Sequence, residues 1–250
     1  MVVAVVPVLG RYPLVPYTLR RLNKIVDKVI CVVDNKRDRQ ICADEGAFIV
    51  NAPGVLLGKK WNAGFWEAKQ FDPDFVLYMG SSDWVSDNYL DVMLPIAQDY
   101  EITGTLDYHL LHLEYNRLDD DNNPISYQEK RYRFMDEYDL DLIRENFISR
   151  EVKHWKGYEC ERKGEPIGIG RLVRRDYLDR VRWNPFEDSI YNSLDWSMFQ
   201  KASHFKAIMS DEAQSMSVST SLWGNKHTFD GDLIDESYLT KWFPEALKLF

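Results

Sequence analysis

The chain of 250 residues lacks any run of about 18 apolar residues, the length that a helix needs to cross a bilayer. Its three cysteines, Cys31, Cys42 and Cys160, are an odd number without close pairing, and no Cys/His pattern typical of zinc sites occurs. The opening residues, MVVAVVPVLG, have no basic leader and no cleavage site. These absences predict a cytoplasmic protein with reduced thiols and no membrane insertion.

Acidic residues outnumber basic ones. Lysine and arginine total 31 against 40 aspartate and glutamate residues, which gives a formal net charge of −9. Long-range attraction requires opposite charge, so the chain as a whole is not drawn to nucleic acid or to anionic membranes. Aromatic residues are plentiful, with 8 Trp and 14 Tyr. They suit a binding cleft and a hydrophobic core equally well.

Apolar β-branched runs alternate with helical patterns in the first third of the chain. The patterns predict strands at 2–8, 28–34, 47–52 and 74–80, and helices at 17–26, 39–46 and 58–71. This alternation predicts an α/β fold with a mostly parallel sheet and right-handed crossovers. Acids or glycines follow three of the four strands, so one edge of the sheet should gather them.

The later part of the chain is less regular. We predict a helix at 88–100, one or two strands at 101–116, a short strand leading into a helix within 164–181, and helices at 193–205 and from 235 onward. Residues 128–165 are dense in charges and aromatics and match no clear pattern. Because no internal repeat or low-complexity linker interrupts the chain, a single domain is expected.

The fourth strand ends in the turn GSSDW, which contains one acid, Asp83. A carboxylate on a turn after a buried strand can bind a divalent cation, since Mg²⁺ and Mn²⁺ prefer oxygen ligands. It can also cap the following helix, although Ser86 or Asp87 would serve that purpose better.

The order of these motifs resembles that of the GT-A glycosyltransferases, nearest to the family 2-like group. The matching segments are VVAVVPVLGRYPLVPYTLRRL, VICVVD, GKKWNAGFWEA, GSSDW, GIGRLVRRDYL and SLDWSMF. The resemblance covers roughly residues 1–110 and 165–230. It departs from the family at two positions: Ser81 replaces the first acid of the D-x-D metal motif, and Leu194 replaces the glutamate of the catalytic Glu-Asp pair.

The resemblance implies one GT-A-like (Rossmann-like) domain over 1–250. Residues 1–110 would bind the nucleotide-sugar, and residues 111–250 would provide the acceptor-binding half with a C-terminal lid or helix. Asp83 and His227 would hold Mn²⁺ or Mg²⁺, and Asp195 would be the catalytic general base. The residues implied to contact the nucleotide are Pro7, Gly10, Arg11, Asp34, Lys59, Lys60, Ser82 and Lys226.

Each role has a plainer alternative. Asp34 can be a turn residue, the two lysines can be exposed residues at a helix start, and His227 can be a solvated loop histidine. Asp195 can be a first-turn acid favoured by the helix dipole, and Glu187 and Asp188 compete with it as the base.

The predicted function is transfer of a hexose-type sugar from a UDP-sugar or related nucleotide-sugar to an acceptor hydroxyl, with inversion and with help from the metal. The acceptor stays open among a glycan, a protein and a modified nucleic-acid base. Trp155, Tyr158, Trp183 and Trp196 could stack on it or pack in the core. Two other functions remain: a catalytically inactive nucleotide- or sugar-binding protein, and a sugar-nucleotide pyrophosphorylase, whose Gly-rich G-G-x-G-T-R-L loop VLGRYPL does not match.

Overall fold

The computed structural model of the chain describes residues 1–8, 10, 14–115, 147–158, 162–189, 194–209, 211–220 and 231–246. Its strands are β1 (Val2–Val8), β2 (Lys28–Val33), β3 (Phe48–Asn51), β4 (Phe75–Tyr78), β5 (Asp83–Val85), β6 (Ile102–Thr105), β7 (Tyr108–Tyr115), β8 (Phe147–Trp155), β9 (Arg171–Arg174), β10 (Phe205–Ile208), β11 (Ser215–Thr220) and β12 (Asp232–Leu233). Its helices are α1 (Leu14–Ile25), α2 (Lys36–Asp44), α3 (Leu57–Ala68), α4 (Tyr89–Ala97), α5 (Arg175–Arg180), α6 (Leu194–Phe199) and α7 (Ser237–Trp242), and a 3₁₀ turn, Lys69–Phe71, follows α3.

The central sheet has the strand order β10-β6-β9-β4-β1-β2-β3. Strands β1 to β4 are mutually parallel, β10 is parallel to β6, and β9 runs antiparallel to both of its neighbours, β4 and β6. The predicted α/β class with a mostly parallel central sheet is therefore confirmed.

Strand β1 lies at the centre of three layers because both of its faces are apolar. Ala4 and Val6 belong to one buried cluster, which includes residues of α1, α2 and α4, such as Leu19 and Met93. Val5 points to the opposite cluster, which includes residues of α3, α5 and α6. The continuous β-branched run is thus explained by burial on both faces.

A second sheet has the strand order β12-β8-β7-β11-β5, and the chain first enters it after β4. The short strand β5 starts at Asp83 and pairs antiparallel with β11, so the turn at 80–82 is where the chain passes from the first sheet to the second. A third buried cluster, which includes Leu14, Trp84, Met216 and Phe243, packs this sheet against α7 and the start of α1.

Several predicted boundaries are corrected by the structure. Helix α1 begins at Leu14, three residues before the prediction, and the helix predicted at 193–205 ends at Phe199, after which β10 begins at Phe205. The stretch 101–116 is two strands that lie in different sheets. Strands β5, β8, β11 and β12 were not predicted, because they are short or carry no clear alternation.

Cys31 and Cys42 are buried free thiols, as predicted, whereas Cys160 lies outside the described residues. The described residues include no helix that is long and apolar enough to span a membrane.

Candidate functional site

Three neighbouring parallel strands, β1, β2 and β4, end at the same edge of the central sheet. Gly10 follows β1, Asp34 follows β2, and the turn from Gly80 to Asp83 follows β4. In open α/β sheets, ligands bind in the crevice outside the carboxyl ends of such strands. Pro7, predicted to support the nucleotide base, lies inside β1 opposite Val32.

The side chain of Asp34 is held by two donors. The Nζ of Lys60, on α3, donates to Oδ2, and the backbone N of Gly54 donates to Oδ1 at 3.1 Å. The side chains of Asp34 and Lys60 are only 14% and 5% exposed. Lys59, the neighbouring lysine, is exposed instead. The structure therefore separates the two predicted lysines: one forms a buried ion pair, and the other faces solvent.

Gly10 is anchored by a residue that the sequence analysis missed. Its backbone N donates to Oδ1 of Asp38 at 3.1 Å, and Asp38 is fully buried in the first turn of α2. Asn35 caps that helix by accepting a hydrogen bond from the backbone N of Asp38 at 2.9 Å. The sequence signal was present, since Asn followed three residues later by an acid is a helix-start pattern.

Asp83 begins β5, and its carboxylate accepts hydrogen bonds from the backbone N of Gly80 at 2.9 Å and from the Oγ of Ser217, on β11, at 2.8 Å. Helix α4 begins at Tyr89 with Asn88 at its cap position, so Asp83 is not the cap of that helix. A Cβ at Gly80 would collide with the Asp83 carboxylate. The small residue therefore lets the carboxylate fold back against the turn.

The turn that carries Asp83 is supported from beneath. Ser82 is buried, and its carbonyl accepts a hydrogen bond from Val218 N at 2.9 Å. The carbonyl of Ser81 accepts one from the hydroxyl of Thr18 on α1 at 3.2 Å, and the Trp84 indole in turn donates to that hydroxyl at 3.0 Å. These bonds fix the position of the carboxylate relative to both sheets.

Asp195 lies in the first turn of α6 and reaches the end of β4. The Tyr78 hydroxyl donates to its Oδ1 at 3.0 Å, and the Tyr158 hydroxyl donates to its Oδ2 at 3.3 Å. The Nη1 of buried Arg171 lies 3.6 Å from Oδ1. The Asp195 side chain is 25% exposed. The two hydroxyls thus hold the Asp195 carboxylate in place, while part of the side chain remains accessible to solvent.

Burial raises the pKa of Tyr78 well above its ordinary value, and the charge of Asp195 adds to the effect. Burial, followed by the same carboxylate, raises the pKa of Tyr158 to about 12. Both phenols therefore stay protonated at neutral pH and act as hydrogen-bond donors.

Helix α3 contributes a residue to each of the Asp34 and Asp195 clusters. Trp61 follows Lys60 on α3, and its ring centroid lies 4.1 Å from that of Tyr78. The hydroxyl of Tyr78 contacts Asp195, as described above. Consecutive residues of α3 thus serve the two clusters: Lys60 pairs with Asp34, and Trp61 packs on the tyrosine that donates to Asp195.

The rivals of Asp195 have structural partners. The carboxylate of Asp188 accepts a hydrogen bond from the amide of Asn62 at 2.7 Å, and that of Glu187 accepts one from the hydroxyl of Ser189 at 3.4 Å. Among the aromatic candidates for acceptor stacking, Trp183 is buried in the core and is excluded from that role.

The predicted Mn²⁺ or Mg²⁺ site stays a prediction. No group of three or more His, Cys, Asp or Glu residues with metal-binding geometry occurs within the described ranges. Asp83 supplies carboxylate oxygens there, and Mg²⁺ is commonly held by one or two carboxylates together with substrate phosphates. Arg11, Lys226 and His227 lie outside the described residues, so their predicted roles stay predictions.

No family model and no curated protein matches the chain. Similar solved structures include TarS 1–349 of S. aureus in complex with UDP, at 11% identity and TM-score 0.49, with 87% of this chain and 60% of that chain covered. CMP:2-keto-3-deoxy-manno-octonic acid synthetase complexed with CTP matches at 13% identity and TM-score 0.44, covering 99% of this chain and 98% of that one.

A third match is glucosyl-3-phosphoglycerate synthase of Mycobacterium tuberculosis in complex with Mn²⁺, UDP-glucose and phosphoglyceric acid, at 15% identity and TM-score 0.32, covering 42% of this chain and 43% of that one. The chain spans 60% of the length of the TarS fragment. All three TM-scores lie below 0.5. What this chain binds is therefore inferred from its own contacts.

Proposed function

We propose that the chain is a glycosyltransferase that moves a hexose-type sugar from a nucleotide-sugar, with a UDP-sugar as the expected donor, to an acceptor hydroxyl with inversion. The observation that supports this most is the arrangement of three carboxylates at one sheet edge. Asp34 follows β2 and Asp83 ends the turn after β4, on either side of β1, and Asp195 reaches the same edge through Tyr78. Each of the three has a different set of partners and hence a different task.

Asp34 is the proposed nucleoside ligand. Its two oxygens already accept from Lys60 and Gly54, which leaves each oxygen able to accept one more hydrogen bond, from a base N–H or a ribose hydroxyl. Lys60 holds this carboxylate in place and is itself buried, so its proposed part in nucleotide binding is indirect.

Asp83 is the proposed ligand for Mn²⁺ or Mg²⁺, with phosphate oxygens of the donor completing the set. When bound, such a cation would neutralise the charge that develops on the diphosphate leaving group. This chain contributes the fixed carboxylate, which Gly80 and Ser217 orient from two sides.

Asp195 is the proposed general base. The acceptor oxygen would form a bond to C1 of the sugar while the bond between C1 and the diphosphate oxygen breaks from the opposite face. The acceptor hydroxyl proton would pass to the Asp195 carboxylate, and the nucleoside diphosphate would leave with the bonding electrons. The open side of Asp195 gives the acceptor hydroxyl access to the carboxylate.

The test is the substitution Asp195→Asn, with Asp188→Asn as the matched control. The first variant should lose at least about a hundredfold in sugar transfer or donor hydrolysis while its affinity for UDP stays unchanged, because a base acts on the acceptor. The second should retain turnover. A catalytically inactive binding protein would instead bind UDP but release no sugar even in the unsubstituted form.

A further inference from the structure

The carboxylate of Asp195 has one phenol for each of its oxygens. Tyr78 donates to Oδ1 and Tyr158 to Oδ2, at 3.0 and 3.3 Å. A single donor would leave the carboxylate free to rotate about its Cβ–Cγ bond. Two donors on different oxygens oppose that rotation, because turning the group would break both bonds.

The phenol of Tyr78 is itself held in place. Its ring packs against Trp61 at 4.1 Å and Phe186 at 5.4 Å between centroids, and the residue is 7% exposed. In β4 it lies directly opposite Arg171 of β9. A ring packed on two sides within a sheet has little freedom, so its hydroxyl is a fixed point for the carboxylate.

The phenol of Tyr158 is fixed from the other sheet. The guanidinium of Arg162 lies 3.7 Å from the centroid of its ring, and the ring of Trp155 contacts it edge-on at 4.9 Å. Arg162 is itself tied to Glu165 by a hydrogen bond of 2.8 Å. The second donor is thus anchored independently of the first.

The charged and titratable groups against Asp195 come from several elements. They include Tyr78 from β4, Tyr158 after β8, Arg171 from β9 and Arg162, whose charge acts on Asp195. Arg171 donates to the carbonyls of Pro166 and Ile167, which fixes its guanidinium. A Cβ on Gly168 would lie only 2.8 Å from Oδ2, so the backbone also restricts the carboxylate.

We propose that Tyr78 and Tyr158 are positioning residues that aim the Asp195 carboxylate at the acceptor hydroxyl. This inference rests on the proposed function of Asp195 as the base. Proton transfer requires close approach and alignment, and a misplacement of about 1 Å can cost on the order of a hundredfold in rate. The two phenols supply that alignment without taking the proton themselves.

The experiment compares Tyr78→Phe and Tyr158→Phe with Tyr177→Phe. Tyr177 is the matched control because it is a buried tyrosine whose hydroxyl donates to the carbonyl of Met198, on the same helix as Asp195. The assay is release of UDP with Mn²⁺ from UDP-glucose, UDP-galactose and UDP-N-acetylglucosamine, with water as acceptor, and it gives kcat and KM for each donor. Calorimetric titration with UDP gives donor-side affinity.

Loss of either phenol next to Asp195 should lower kcat about tenfold to a hundredfold with UDP affinity unchanged. The loss should fall on kcat, with the KM for the donor unchanged, because the carboxylate acts on the attacking oxygen and not on the nucleotide. Tyr177→Phe should leave both constants unchanged. Turnover in Tyr78→Phe and Tyr158→Phe equal to that in Tyr177→Phe would overturn the positioning role and leave the proposed function standing.

A second measurement separates the contact from the activity. Urea unfolding of Tyr78→Phe, Asp195→Ala and the double variant should show non-additive losses of stability, because either single change already removes the hydrogen bond that the two groups share. Additive losses would overturn the inference whatever the activity. Absence of UDP release by the unsubstituted protein from every donor would overturn the proposed function, and the positioning role with it.

Discussion

Replacing Lys60 by methionine should cost far more stability than the same change at Lys59. The methionine keeps most of the length of the buried side chain but removes its charge, so the Asp34 carboxylate is left without its partner. Breaking a buried pair by removing one member costs about 3–5 kcal/mol. The Asp34 side chain is 14% exposed and keeps its bond from Gly54, which places the expected loss near the lower end, about 3 kcal/mol.

Urea unfolding followed by circular dichroism measures this difference, and thermal unfolding gives a parallel reading. For a chain of this size, a loss of about 3 kcal/mol corresponds to a decrease in Tm of about 6–12 °C. Lys59→Met is the matched control, since this exposed neighbour should change the free energy of unfolding by less than about 0.5 kcal/mol.

A double variant, Lys60→Met with Asp34→Asn, should recover much of the loss, because neither charge is then buried alone. The double variant should bind UDP more weakly than the unsubstituted protein does, since the proposed nucleoside ligand, Asp34, is gone. Equal stabilities of the Lys60 and Lys59 variants would refute the buried ion pair, and full UDP affinity in the double variant would refute the proposed role of Asp34.

Three other changes have defined outcomes. Asp83→Asn should abolish the increase in UDP affinity that Mn²⁺ gives, measured by calorimetry, whereas Asp91→Asn, on exposed α4 surface, should not. The pKa of His109 is lowered to about 4, by burial first and by the facing imidazole second. On acidification the unfolded chain therefore takes up the His109 proton before the folded chain does. The free energy of unfolding should fall by about 3 kcal/mol between about pH 6.5 and pH 4. In urea unfolding, His109→Gln should remove most of this dependence of stability on pH. Gly64→Ala should destabilise by about 1–3 kcal/mol in the same assay, since its Cβ would collide with Val5, and a loss below 0.5 kcal/mol would contradict the close packing of α3 on β1.

The first half of the fold was predictable because its signals are local. The run from Val2 to Val8 is buried on both faces, and Gly46 ends its helix with φ of +78°, as the sequence patterns indicated. The prediction of strand within 101–116 also holds, and His109 and His112 lie in β7, where a spacing of three puts them on opposite faces. Short strands such as β5 leave too few residues for an alternation to be recognised.

The site was less predictable because its contacts join distant parts of the chain. Ser217 reaches Asp83 across 134 residues, and Tyr78 reaches Asp195 across 117. No local pattern marks Ser217 or Tyr78 as a partner, since hydroxyl residues occur on many strands. The sequence could therefore propose the carboxylates but not the side chains that orient them.

The most direct test of the proposed function is proton NMR of the reaction with UDP-glucose, UDP-galactose and UDP-N-acetylglucosamine in the presence of Mn²⁺. The expected result is UDP together with free sugar that first appears as the β anomer, because attack on an α-linked donor inverts C1. The Asp195→Asn variant should form neither product. UDP release no faster than in that variant from every donor, or a first product in the α configuration, would contradict an inverting transfer that uses Asp195 as base.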